Sequence, residues 1–189
     1  MYVLKQYRTF TAAVLTSCFF IVSCENDPKT IDALLKKQTA VEEVKQMTAY
    51  LSQEGHVKAK LTSPFMLRHQ SDSAFTEFPN TLHVDFYNDS VMIESVMDAN
   101  YAWFRNYERK VFLKDSVVVI NTLKGDTLRT DELWWDQNKE EFYTDKPVRI
   151  YQPDKTIYGV GLRAAQNFSS YTIFHITGTV LTSSTGFGG

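Results

Sequence analysis

Hydrophobic and polar positions change rhythm twice along the chain. Behind Lys5 and Arg8, Phe10 to Val22 is an uncharged, apolar-rich run. At about 1.5 Å per helical residue it reaches roughly 20 Å, short of a ~30 Å hydrocarbon core. It therefore predicts a signal-peptide apolar region rather than a permanent span. Between Glu25 and Glu54, Ile31, Leu34, Leu35, Val41, Val44, Met47 and Leu51 recur at spacings of three, four and six, with Lys and Glu between them. That rhythm predicts an amphipathic helix from Ile31 to Leu51, or a partly ordered stalk, which would act as a tether.

From Gly55 to about Val180 the vocabulary turns to β-branched and aromatic residues separated by turn formers. The pattern predicts strands over His56–Leu61, Phe65–His69, Thr81–Tyr87, Val91–Val96, Ala99–Asn106, Lys110–Leu113 and Val117–Asn121. Further strands are expected over Thr127–Thr130, Leu133–Asp136, Glu141–Thr144, Val148–Gln152, Thr156–Val160 and Tyr171–Thr177. Breaks such as Asn88-Asp89, Lys124-Gly125-Asp126 and Pro153-Asp154 suit tight turns. This is an all-β antiparallel fold: a sandwich, barrel or jelly roll. Leu82, Val84 and Phe86 share one face against His83, Asp85 and Tyr87, and Val91 and Ile93 alternate with Met92 and Glu94. Val117 to Ile120 is apolar throughout, as for a strand covered on both sides or lining a lipid-filled interior. Trp134 and Trp135 point to opposite faces, so at most one lies inside.

Composition narrows the function more than the fold. Aromatics at 14% supply enough burial to order the chain, and a net charge of −2 gives no basic stripe for nucleic acid. His56, His69, His83 and His175 show no metal-ligand spacing. There is no GxSxG elbow or P-loop, and Gly159-Val160-Gly161 lacks the rest of a dinucleotide loop. Glu42-Glu43 and Glu140-Glu141 read as solvated pairs. No cofactor and no catalytic group is expected, and the chain is not read as an enzyme.

Ile21-Val22-Ser23-Cys24, followed by polar residues, resembles the lipobox of bacterial lipoproteins. The resemblance implies cleavage before Cys24 and acylation of its thiol. Removing Cys18 with the signal leaves no free thiol for a disulfide or for catalysis. Several acyl chains hold a protein on a membrane durably.

A second resemblance covers most of the remainder. Val117-Val118-Val119-Ile120-Asn121, Gly125, Leu128, Thr130, Leu133 and Trp135-Asp136 precede Thr144-Asp145, Val148 and Gly159-Val160-Gly161-Leu162-Arg163-Ala164. With Ala99-Asn100-Tyr101-Ala102 and Phe78-Pro79-Asn80 upstream, the stretch from about Leu51 to Val180 resembles the lipoprotein-bearing branch of the LptC family, the periplasmic component of lipopolysaccharide export. The resemblance implies an open two-sheet β-jelly roll, or taco, preceded by the tether. Its partners would be the lipid A acyl chains of lipopolysaccharide, membrane subunits of an ABC exporter, and a periplasmic bridge protein of the same roll joined edge to edge.

The expected location is the periplasmic face of the inner membrane, held there by lipidated Cys24. The usual member carries an N-terminal transmembrane helix instead. The expected organisation is signal 1–23, lipidated Cys24 and tether 24–54, roll 55–180 and tail 181–189. The acyl-lining set is expected to be Leu82, Val84, Phe86, Val91, Ile93, Val117, Val119, Leu128, Leu133, Val148 and Ile150. The alternatives are a closed β-sandwich lipoprotein binding glycan or protein through an exposed aromatic platform, and an enzyme with an unrecognised carboxylate site.

Overall fold

The computed structural model describes residues 27, 29, 41–70 and 74–181. The signal region, Cys24 and most of residues 25–40 lie outside the described residues. Eleven strands follow one another: β1 (Val41–Gln53), β2 (His56–His69), β3 (Phe75–Phe78), β4 (Leu82–Tyr87), β5 (Ile93–Ala99), β6 (Tyr101–Arg105), β7 (Lys110–Asn121), β8 (Thr127–Asp136), β9 (Glu141–Tyr151), β10 (Lys155–Ala165) and β11 (Tyr171–Leu181). Every pairing is antiparallel. The order is a meander in which β3 with β4, and β5 with β6, each act as one bent strand.

The feature that makes a roll out of this meander is a row of breaks at one level. Gln46 has φ +52 and stands opposite Pro64 in the β1–β2 register. Next along the row come Pro79–Thr81 between β3 and β4, Asn100 between β5 and β6, and Asp115 and Ser116 of β7, both with positive φ. Asn100 N–H donates to Asp115 O at 3.0 Å. The row continues through Asp131-Glu132 in β8, Asp145-Lys146 in β9 and Gly161, φ +75, in β10. An extra residue in a strand bends it and interrupts its alternation. Aligned across the sheet, the breaks form a crease, and the sheet doubles over along it. One layer holds β4 and β5, the other holds β3 and β6, and the long strands give a half to each.

The doubling shows in the contacts. Phe86 of the first layer meets Trp135 and Phe142 of the second edge-on, at 5.0 and 5.7 Å between ring centroids. Inward positions on both layers form one buried cluster that includes Leu82, Met97, Leu113, Val119, Leu128, Leu133, Ile150 and Leu162.

The crease corrects the helical reading of Val41–Gln53, which is a strand paired with β2 along its length. Val44 and Met47 both turn inward although they are three residues apart, because the break at Gln46 shifts the two-residue alternation by one. The step from Met47 to Leu51 is two ordinary strand periods. A broken strand thus copied helical spacing, and the roll begins before Gly55. The crease also explains the expectation of thirteen short strands: β2, β7, β8 and β9 each read as two pieces.

Candidate lipid-binding interior

The inward face is built by the same parity rule on every long strand. In β8, Leu128 and Thr130 face inward before the crease and Leu133 and Trp135 after it, so the spacing Leu-x-Thr-x-x-Leu-x-Trp is alternation with one residue inserted. In β10, Gly159 precedes the crease and Leu162 and Ala164 follow it. A Cβ on Gly159 would press on the Ile173 side chain and stand 2.8 Å from His175 O, so only glycine lets β11 lie this close.

Leu82, Val84, Phe86, Val117, Val119, Leu128, Leu133, Val148 and Ile150 are all brought together in this interior, each nearly or wholly buried. Val91 and Ile93 are not. Val91 is 63% exposed and left-handed (φ +59), in the turn between β4 and β5. That turn is held by Asn88, whose Oδ1 accepts from the N–H groups of Ser90 and Met92 at 3.0 Å. Ile93 opens β5 at 40% exposure, and Ser95, Met97 and Ala99 are the buried residues of that strand. A register shift between Phe86 and Tyr87 breaks the alternation that had been carried across the turn. Trp135 is inside and Trp134 lies on the outer face, as their adjacency requires.

The middle of the interior is filled by its own side chains, whereas the coverage falls away at both edges. On the rung Val148, Gly159, Ile176, the first two are buried and Ile176 is 64% exposed. On the rung Val84, Leu61, Ala49, burial falls from complete through partial to exposed. β1 pairs only with β2 and β11 only with β10, so each leaves one row of backbone groups unpaired by other described strands. An edge of that kind is a ready template for another strand.

A loop that sequence reasoning passed over joins the two lips of the fold. After β10, residues 166–170 reach across to the first layer. Ser95 Oγ donates to Gln166 O at 3.0 Å, Asn121 Nδ2 to Asn167 O at 2.8 Å, and Lys124 Nζ to Ser169 O at 2.8 Å. On the second layer, Trp135 Nε1 donates to Gln166 Oε1 at 2.7 Å. Phe168 is fully buried in a left-handed conformation (φ +52), stacked on Tyr171 at 5.2 Å. A bulky residue held at positive φ marks a backbone constrained by its surroundings. The only sequence hint was Asn167, a turn former beside an aromatic.

Among the described residues no group of His, Cys, Asp and Glu is placed to hold a metal ion, and no helix is long and apolar enough to cross a membrane. No curated protein matches the chain. The family of lipopolysaccharide-assembly, LptC-related proteins matches residues 10–179, nearly the whole chain and all but the last residues of the creased sheet. The chain belongs to this LptC-related family, whose members take part in lipopolysaccharide transport on the periplasmic side of the inner membrane.

Proposed function

We propose that this protein is a membrane-anchored transfer component that accepts lipopolysaccharide from an inner-membrane ABC exporter and passes it to a bridge protein of the same roll. The observation that carries the reading is an apolar inward face whose cover thins out along both edge strands, where Met47 is still buried but Ala49 and Ile176 stand exposed. Lipid A acyl chains resist exposure to water at about 0.8 kcal/mol per methylene. A continuous apolar face lowers that cost while the sugars remain in solvent. Half-buried Leu51 on β1 and exposed Ile176 on β11 are where chains enter and leave. The buried middle admits them when the lips part, and the 166–170 loop is the joint that must release.

β1 and β11 serve as docking edges, since strand addition to an open sheet edge joins two rolls through backbone hydrogen bonds. No covalent step is needed. The anchor is the acylated Cys24, behind a cleaved signal of residues 1–23, with residues 24–40 as the tether that gives the roll reach. The acyl-lining set is the buried group named above without Val91 and Ile93. Two measurements test this reading. Lipopolysaccharide should co-purify with the membrane-extracted protein and be lost from the double variant Leu51→Glu, Ile176→Glu; equal lipopolysaccharide on both proteins would contradict the transfer role. Cys24→Ala should no longer incorporate labelled fatty acid; continued labelling would sink the anchor assignment.

A further inference from the structure

The outward face of the second layer is aromatic where the solvent face of an antiparallel sheet is ordinarily polar. Trp103, Phe112, Trp134 and Tyr143 are successive register neighbours on β6, β7, β8 and β9. Their ring centroids lie 5.6, 4.9 and 6.3 Å apart in that order, forming one half-buried strip. None of these rings contributes to the interior. At its β6 end the strip opens into a cavity of about 570 Å³ lined by Phe75, Tyr101, Trp103, Arg105, Tyr107 and Glu108, with Ala74 at its margin. That volume falls within the ~300–1,000 Å³ of small-molecule sites.

The polar groups of the cleft are held in place. Arg105 Nη1 donates to Glu108 Oε1 at 2.7 Å, and its guanidinium sits 4.8 Å from the Trp103 ring centre. Tyr101 Oη donates to Glu77 Oε1 at 2.8 Å. Burial, and then Glu77, push the Tyr101 phenol up to about 12, so it stays a neutral hydroxyl. Glu77 Oε2 is also 3.1 Å from His69 Nε2, and the His69 ring stacks on Phe75 at 4.2 Å.

We infer that this cleft is a saccharide-binding site, separate from the interior, that takes the sugar portion of the transported glycolipid. A pyranose offers an apolar C–H face to the electron-rich face of an aromatic ring and a rim of hydroxyls to planar polar side chains. The cleft supplies both, with Phe75, Trp103 and Tyr107 for the first and Arg105, Glu108 and the Tyr101 hydroxyl for the second. An acyl chain or an apolar helix would bury Arg105 and Glu108 without giving them new partners, at a cost. A bilayer surface fits less well, because Tyr107, at 84% exposure, is the one apolar side chain of the cleft that is largely exposed. The choice of sugar rests on the transfer reading, since acyl chains held inside leave the attached sugars outside.

The test uses lipopolysaccharide stripped of its fatty acids, titrated into the detergent-solubilised full-length protein while the three indole N–H resonances are followed. Trp103 should shift saturably and Trp135 should not. Tyr107→Ala and Arg105→Ala should each weaken the response about tenfold with an unchanged unfolding midpoint. No Trp103 shift up to about 10 mM glycan, or an undiminished shift in both variants, overturns the inference. Sugar-free acidic phospholipid vesicles that move Trp103 as far as the glycan would overturn it in favour of a membrane surface. Glycan binding alongside failure of lipopolysaccharide to co-purify leaves this site standing and removes the transfer role. The opposite pair of results does the reverse.

Discussion

The centre of the roll and its β11 edge share an inward face but not its cover. At the centre Phe86, Trp135 and Phe142 close on one another between the layers, and the 166–170 loop ties the lips over them. Two strands further on, Ile176 occupies an inward position and stands open to solvent, with Leu181 more open still. Apolar surface that is merely scattered needs no explanation, but an inward row that continues past its cover does. A roll built only for its own stability could end its apolar row where the packing ends. This one extends it to β11, whose outer row of backbone groups no other described strand pairs.

Substitutions should separate these regions by size of effect. Trp135→Ala removes the largest buried ring and the donor that holds Gln166, and should lower unfolding free energy by about 3–5 kcal/mol in urea melts. A loss under about 1 kcal/mol would show the centre to be loosely packed and the contrast overstated. Gly159→Ala sets a methyl against β11, where His175 O would be 2.8 Å away, and should cost about 1–3 kcal/mol. Hydrogen exchange should place that loss in β10 and β11 and leave β4 and β5 protected.

A smaller effect belongs to His83 on the outer face of the first layer. Burial lowers its pKa, but Asp98 at 2.7 Å from Nδ1 and Asp85 at 3.1 Å from Nε2 outweigh it, and the net shift is upward. Lys60, 3.9 Å from Asp85, is the cation on the same side. A raised folded pKa stabilises the fold below the unfolded value near 6.5 and loses that contribution as pH rises through the folded value. The ring is partly exposed, so His83→Gln should cost only a few tenths of a kcal/mol at pH 5.5 and nothing at pH 9. An equal cost at both pH values would show a packing role instead. Smallest of all, Ile176→Ser should leave stability within about 0.5 kcal/mol while reducing lipopolysaccharide on the purified protein. A stability loss like that of a core residue would mean that β11 is covered in solution.

The same contrast sets how far the sequence could be read. Alternation in Leu82-His83-Val84-Asp85-Phe86 marked the inward face correctly, because a two-residue period survives wherever a strand is unbroken. It failed at breaks. Gln46 turned a strand into apparent helical spacing, and the register shift after Phe86 carried Val91 and Ile93 to the surface. The 166–170 loop was illegible because its bonds join positions far apart in the chain, Ser95 with Gln166 and Asn121 with Asn167. Adjacency put Trp134 and Trp135 on opposite faces, but only the structure shows that the outer one is Trp134. The strip it forms with Trp103 and Tyr143 depends on registers that no single strand reveals.

The most direct test of the inward row uses two positions on one strand. Ile176 faces inward, and Val180, comparably exposed, faces outward through its pairing with Thr156. A photo-crosslinking residue placed at each, in cells exporting lipopolysaccharide, should give a lipopolysaccharide adduct at Ile176 and none at Val180. Equal adducts at both positions, or none at Ile176 in the folded protein, would contradict the account.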